Sequence, residues 1–130
     1  MADAEPLIAL CNSAQLAERG AGVRFDVLVG GRMLGAFAVR YRGEAVAYLN
    51  RCAHVAMELD WIEGWFFDSD GEALLCASHG AAYDPSDGRC VGGPCAGRGG
   101  LRRLQVVERD GVVYWRPDDG VRPRPDGMGA

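Results

Sequence analysis

CASHGAAYDPSDGRCVGGPC, residues 76–95, together with the shorter CAH at 52–54, decides how the rest of the chain reads. The sequence holds two histidines, and each closely follows a cysteine: His54 after Cys52, and His79 after Cys76. Each pair lies just past a strand candidate, where a loop can turn both side chains toward one point. Gly80, Ala81 and Ala82 crowd the second pair with small residues. Backbone can then come close to a bound group and offer N–H donors to it.

Two thiolates and two imidazoles can hold a metal centre. A zinc site with two cysteines and two histidines is chemically allowed, but the usual finger separates a Cys pair from a His pair and carries the histidines on a helix. Here each short segment supplies one of each. That mixed order suits a binuclear iron–sulfur centre in which one iron takes two thiolates and the other two imidazoles. Such a centre has a potential of roughly −150 to +300 mV, against about −400 mV for an all-thiolate one.

Working outward, short strand candidates surround both pairs. VRFDVLV at 23–29 alternates larger apolar with more polar residues, RMLGAFAVR at 32–40 follows Gly30–Gly31, and AVAYLN at 45–50 follows the turn signal Arg42–Gly43–Glu44. Further candidates are Glu72–Cys76, Arg102–Glu108 and Val112–Trp115. The last two flank Asp110–Gly111, a strong hairpin signal. The fold class is all-β. One short helix is expected over Ser13–Arg19, capped by Ser13 and ended by Gly20, and a turn or two of helix within 55–63. From Pro117 the chain is rich in proline, glycine and charge without periodicity, so 117–130 is expected as a flexible C-terminal tail.

The 130 residues suffice for one domain and one core. An apolar share of 48% fits a folded soluble protein. The formal net charge is −4 and no basic block is present, which argues against nucleic acid as a partner. No window approaches the roughly 18 apolar residues of a membrane helix, and the N-terminus lacks a basic region before its short apolar run. A cytoplasmic location is expected. In that reducing compartment the five cysteines are ligands or buried thiols rather than disulfides.

The ligand segments resemble the Rieske [2Fe–2S] domain family, whose pattern is Cys-x-His, a spacer, Cys-x-x-His-Gly, an aromatic residue with aspartate, and a later Gly-Pro loop. The chain reads CAH at 52–54, CASHG at 76–80, YDPSDGRC at 83–90 and GGPC at 92–95. The resemblance implies one [2Fe–2S] cluster, with Cys52 and Cys76 on the inner iron and His54 and His79 on the outer one. It also implies that Gly80 allows a tight turn beside the ligands, that Pro94 sits in the loop covering the cluster, and that Tyr83 occupies the aromatic position that donates to a cysteine sulfur in respiratory-type members. Those members carry a further disulfide between the ligand loops; the matching positions are Met57 and Ser78. The serine that donates to a bridging sulfide is replaced by Ala81. Fewer donors stabilise the reduced cluster less, which implies a lower potential.

The expected architecture is an antiparallel β-sandwich with a small cluster-binding subdomain. The domain spans 1–116, its cluster-binding part about 51–95. The 21 residues between His54 and Cys76 contain ELDWIEGWFFDSDGEAL, read as an inserted hairpin with Asp70–Gly71 at its tip. Trp61, Trp65, Phe66 and Phe67 are expected to pack this hairpin over the domain or to meet a partner. Asp60, Glu63, Asp68, Asp70 and Glu72 form either a rim that steers a basic partner or a solvated face. Arg98, Arg102 and Arg103 are candidate partner contacts. Cys11 is expected in the core, and Cys90 and Cys95 as small buried residues outside the ligand set.

The function this implies is one-electron transfer, as a ferredoxin-like component of an oxygenase or reductase system. The partners are then a donor reductase and an acceptor oxygenase or reductase protein. The chain is read as a carrier without catalytic residues of its own. The alternatives are a cluster-bearing accessory subunit of a larger oxidoreductase complex, or a zinc-stabilised binding module without redox activity.

Overall fold

The structure, a computed structural model, describes residues 7–51, 59–60, 64–76, 80–93 and 99–123. These residues form β1 (Ile8–Asn12), β2 (Val23–Val29), β3 (Arg32–Tyr41), β4 (Glu44–Leu49), β5 (Leu74–Leu75), β6 (Ala82–Tyr83), β7 (Cys90–Gly92), β8 (Arg103–Arg109) and β9 (Val112–Arg116). Two-residue turns join β2 to β3, β3 to β4 and β8 to β9. Both turn residues are left-handed in each: Gly30 and Gly31, Arg42 and Gly43, Asp110 and Gly111. Turns of that hand match the twist of the strands they connect.

One antiparallel sheet has the order β1-β9-β8-β4-β3-β2, and a smaller one the order β5-β6-β7. Within the larger sheet, β4 and β8 pair only at Ala47–Leu104 and Tyr48–Arg103. The sheet folds about this short seam into a sandwich. Its two halves share a core of Cys11, Val27, Ala36, Ala38, Ala47, Leu49, Leu104, Val113 and Trp115, and the Phe25 and Trp115 rings meet across it at 5.5 Å.

β3 and β4 are buried on both faces. Because successive side chains point to opposite faces, Ala36, Ala38 and Ala47 enter the sandwich core while Phe37, Val39, Val46 and Tyr48 face away from it. Those four form a second core with Leu59, Phe66, Leu74, Cys76, Ala81, Tyr83 and Cys90. The three-stranded subdomain is thus seated on the outer face of β3–β4. The expected sandwich with a small subdomain is the fold observed.

Several local expectations are corrected. Ser13–Gln15 is a single 3₁₀ turn, with Asn12 rather than Ser13 as its cap. The Asn12 N–H donates to the Gln15 side chain at 2.8 Å. Glu18 does not continue a helix. Its residue bridges to Arg40, and its carboxylate accepts the Arg42 and Gly43 N–H groups at 2.6 and 2.8 Å. Those backbone donors, Gly43 foremost, hold Glu18 below the usual carboxylate range. Residues 117–123 are not loose: Val121 is buried and the Arg122 backbone pairs both ways with Leu28. The remainder of the expected tail, and all but residues 59–60 of the helical turn expected in 55–63, lie outside the described residues.

Candidate metal centre

Of the four proposed ligands, Cys76 is described; Cys52, His54 and His79 lie outside the described residues, as does Pro94. Cys76 follows β5 directly and is fully buried among Tyr83, Ala81 and Cys90. The Gly80 N–H donates to the Cys76 carbonyl at 2.9 Å, and the Cys76 N–H donates to the Ala81 carbonyl at 2.8 Å. The second Cys–His segment is therefore closed by its own backbone.

Of the glycines beside it, Gly80 supplies a left-handed turn, and Gly93 is required for space. Gly93 is left-handed, and a Cβ there would lie 2.5 Å from the Gly80 oxygen and 2.8 Å from the Ala81 Cα. The start of the Gly-Gly-Pro loop is thus laid directly on the backbone of the second ligand segment. Further along, the Cys90 N–H donates to the Gly99 carbonyl at 3.1 Å, tying the two ends of that loop.

The segment between β6 and β7 is held from below. The Tyr48 hydroxyl donates to the Pro85 carbonyl at 2.6 Å, inside the core. Burial pushes this phenol well above its ordinary range, so it remains a donor. Asp84 accepts the Ser86 hydroxyl and N–H at 2.6 and 2.9 Å, and those bonds lower its pKa. A fully buried cysteine with close-packed backbone beside it fits a compact cluster that takes sulfur ligands.

The inserted segment is a hairpin over residues 66–75. Asp68 and Ala73 pair across it, as do Phe66 and Leu75, and the Gly71 N–H closes the tip on Asp68. Phe66 is buried against Phe37 and Phe67 lies over Tyr41, whereas Trp65 is exposed; Trp61 lies outside the described residues. The acidic residues of this stretch are largely engaged within the chain. Asp60 is buried, the Asp68 carboxylate accepts the Glu72 N–H, and Glu72 pairs with Arg19 at 2.8 Å. Arg102 pairs with Asp118, and Arg103 donates to the Ser86 carbonyl. Glu63 and Arg98 lie outside the described residues.

Cys11 is buried as expected. Cys90 is buried but disulfide-bonded, where a buried thiol was favoured over a disulfide; its partner lies outside the described residues. A sulfur already bonded to sulfur is not a metal ligand in that state. Strand β1 and the side chain of Asn50 were not singled out from the sequence, and Asp60 was read only as part of an acidic rim or solvated face. Asn50 stands two residues before Cys52, and that position was the available signal.

The family model for the Rieske [2Fe-2S] domain matches residues 7–108. A comparison with curated protein sequences finds no match. Among solved structures, the ferredoxin of carbazole 1,9a-dioxygenase from Nocardioides aromaticivorans IC177 superposes with a TM-score of 0.67 at 23% identity, over 86% of this chain and 98% of that one. The terminal oxygenase of the same system gives 0.69 at 25% identity, over 93% of this chain and 32% of the oxygenase. Apo dicamba monooxygenase gives 0.66 at 22% identity, over 89% and 34%. The chain spans about a third of these two oxygenases and nearly the whole of the ferredoxin.

Proposed function

The chain belongs to the Rieske [2Fe-2S] domain family, and on that premise we propose that Cys52, His54, Cys76 and His79 hold its one cluster and that it serves an oxygenase system as a ferredoxin-like electron carrier. When bound, the cluster takes up and releases one electron at a time. The chain's own residues supply the setting. Cys76 offers its sulfur from a position without solvent exposure, Gly80 makes the left-handed turn after it, Gly93 lets the following loop approach that backbone, and Tyr48 holds the segment beneath them. The observation that carries the ligand assignment is the family match, which spans both Cys–His pairs. The carrier role is supported by the match in extent to a ferredoxin of an oxygenase system. The donor is then a reductase and the acceptor an oxygenase component.

Among the described residues no helix is long and apolar enough to cross a membrane, and a cytoplasmic location is part of the same proposal. Purified protein is expected to be coloured, with two irons and two acid-labile sulfides per chain. One zinc and no sulfide would overturn the ligand assignment. Replacing any one of the four ligands by Ala abolishes the native visible spectrum, while Cys90→Ala and Cys95→Ala keep it. The carrier role is tested by adding the loaded chain to a reductase and oxygenase that lack their own ferredoxin. Electron delivery supports it, and delivery only when the chain is part of a permanent complex favours an accessory subunit.

A further inference from the structure

The two ligand segments are closed in different ways. The second is closed by backbone hydrogen bonds on either side of it, between Cys76 and Gly80–Ala81. Asn50 and Leu59–Asp60, the described residues that flank the first, are joined by side-chain bonds. Asn50 Oδ1 accepts the Leu59 N–H at 2.8 Å, and Asn50 Nδ2 donates to Asp60 Oδ1 at 2.9 Å. The other Asp60 oxygen accepts the Gly64 N–H at 2.9 Å and lies 3.4 Å from Arg24 Nε. Asn50 is 3% exposed and the Asp60 side chain 1%.

Asn50 is itself fixed by the sandwich. Its N–H donates to the Gly35 carbonyl of β3, and that of Leu49 to the Arg102 carbonyl. Gly64, at the other end, donates to Asp60 and accepts the Gly22 N–H at 2.7 Å. Rigid sheet therefore reaches both residues that bracket the segment carrying Cys52 and His54. Burying an amide and a carboxylate is costly unless each polar atom finds a partner, and the pair is matched donor to acceptor.

We propose that Asn50 and Asp60 are positioning residues for the first ligand segment, a buried polar clasp that sets how tightly the cluster is retained. This rests on the ligand assignment above. Neither residue is a ligand; they act by fixing the two ends of the segment that carries Cys52 and His54.

The test is the rate at which an iron chelator bleaches the loaded protein. Asn50→Asp keeps the acceptor for Leu59 but sets two carboxylates face to face. Release is expected to accelerate about tenfold or more, the order of one buried charged partner left unmatched. Asp60→Asn alone also mismatches the pair, at Nδ2 or at Gly64. In the double variant, the carboxylate at position 50 accepts the Leu59 N–H and the amide at position 60 donates to it while accepting the Gly64 N–H. The match is restored, and release returns to within about threefold of the unmodified protein.

Val113→Ala, in the sandwich core, lowers stability without touching the clasp and is expected to leave release within threefold. The proposal is overturned if Asn50→Asp releases no faster than Val113→Ala, or if the double variant is no slower than Asn50→Asp. If Asn50→Asp takes up no cluster, loading of the double variant decides: a loaded double variant supports the clasp and an unloaded one overturns it. Absence of iron and sulfide from the unmodified chain overturns the ligand assignment instead.

Discussion

Trp65 and Phe66 are neighbours in sequence with opposite surroundings, and their comparison tests how the subdomain is held. Phe66 is 1% exposed, and its ring stacks on Phe37 with centroids 3.8 Å apart and planes 10° from parallel. Trp65 is 55% exposed. Phe66→Ala removes a ring from a closed space between the hairpin and the outer face of β3, at a cost of about 3–5 kcal/mol. The ring–ring contact accounts for roughly 0.5–1.5 kcal/mol of it. At about 3–6 °C per kcal/mol for a domain of this length, the midpoint of thermal unfolding falls by roughly 9–30 °C. Trp65→Ala, which deletes the larger side chain, costs about 0.5 kcal/mol or less. Denaturant unfolding of the loaded protein, followed by circular dichroism and by the visible band, measures both. A loss below about 1 kcal/mol for Phe66→Ala would refute the reasoning, as would an equal loss for Trp65→Ala, because either would mean that this contact does not seat the hairpin on the sandwich.

Gly93→Ala combines a left-handed backbone with a Cβ 2.5 Å from the Gly80 oxygen; it is expected to destabilise by about 2 kcal/mol or more and to hasten cluster loss, and a loss under about 0.5 kcal/mol in a denaturant titration would contradict it. Arg40 donates to both Glu108 oxygens, at 3.1 and 2.7 Å, and holds that carboxyl below its usual range. The ion pair therefore contributes fully above the ordinary carboxylate pKa, and its contribution is lost as pH falls through the lowered one. Glu108→Gln should cost about 1 kcal/mol or less near neutrality, with the difference from the unmodified protein shrinking as pH falls below the ordinary carboxylate range; a difference independent of pH would refute the assignment. The midpoint potential is expected in the lower half of the family range, roughly −150 to +50 mV, and Ala81→Ser should raise it; an unchanged value in protein-film voltammetry would show that Ala81 does not lie beside a sulfide.

What the sequence disclosed followed the range of each signal. Alternation in VRFDVLV and the turn pairs at 30–31, 42–43 and 110–111 are local, and they located β2, β3, β4, β8 and β9 to within a residue or two. The tip at Asp70–Gly71 was legible for the same reason. The short strands β6 and β7 were not, because two or three residues carry no period; they exist by pairing with Leu74–Leu75 and with each other. β1 was hidden because its edge pairing with β9 is a tertiary choice. The four proposed ligands were conspicuous by type and spacing, whereas Asn50 and Asp60 are ordinary polar residues until the fold buries them together. The disulfide of Cys90 ran against an expectation drawn from compartment rather than from position.

The acidic stretch shows how the fold employs charges that composition only locates. Asp60, Asp68 and Glu72, read from the sequence as a steering rim or a solvated face, are each engaged by a group of the same chain: Asn50, the Glu72 N–H and Arg19. Asp60 ties the segment to Arg24 of β2 and to Asn50 just past β4, Glu72 ties it to Arg19, and Asp68 closes the hairpin on itself. The same sheet explains the distribution of side-chain size. Alanines on the inner face of β3–β4 let the two halves of the sandwich close, and the large residues Phe37, Val39, Val46 and Tyr48 on the outer face make a floor for Phe66, Cys76 and Tyr83. A one-residue slip of β3 would exchange the faces, putting bulk where the sandwich must close and alanine where Phe66 needs a surface. The register that its two glycine-bearing turns impose on β3 thus serves both the sandwich and the setting of Cys76.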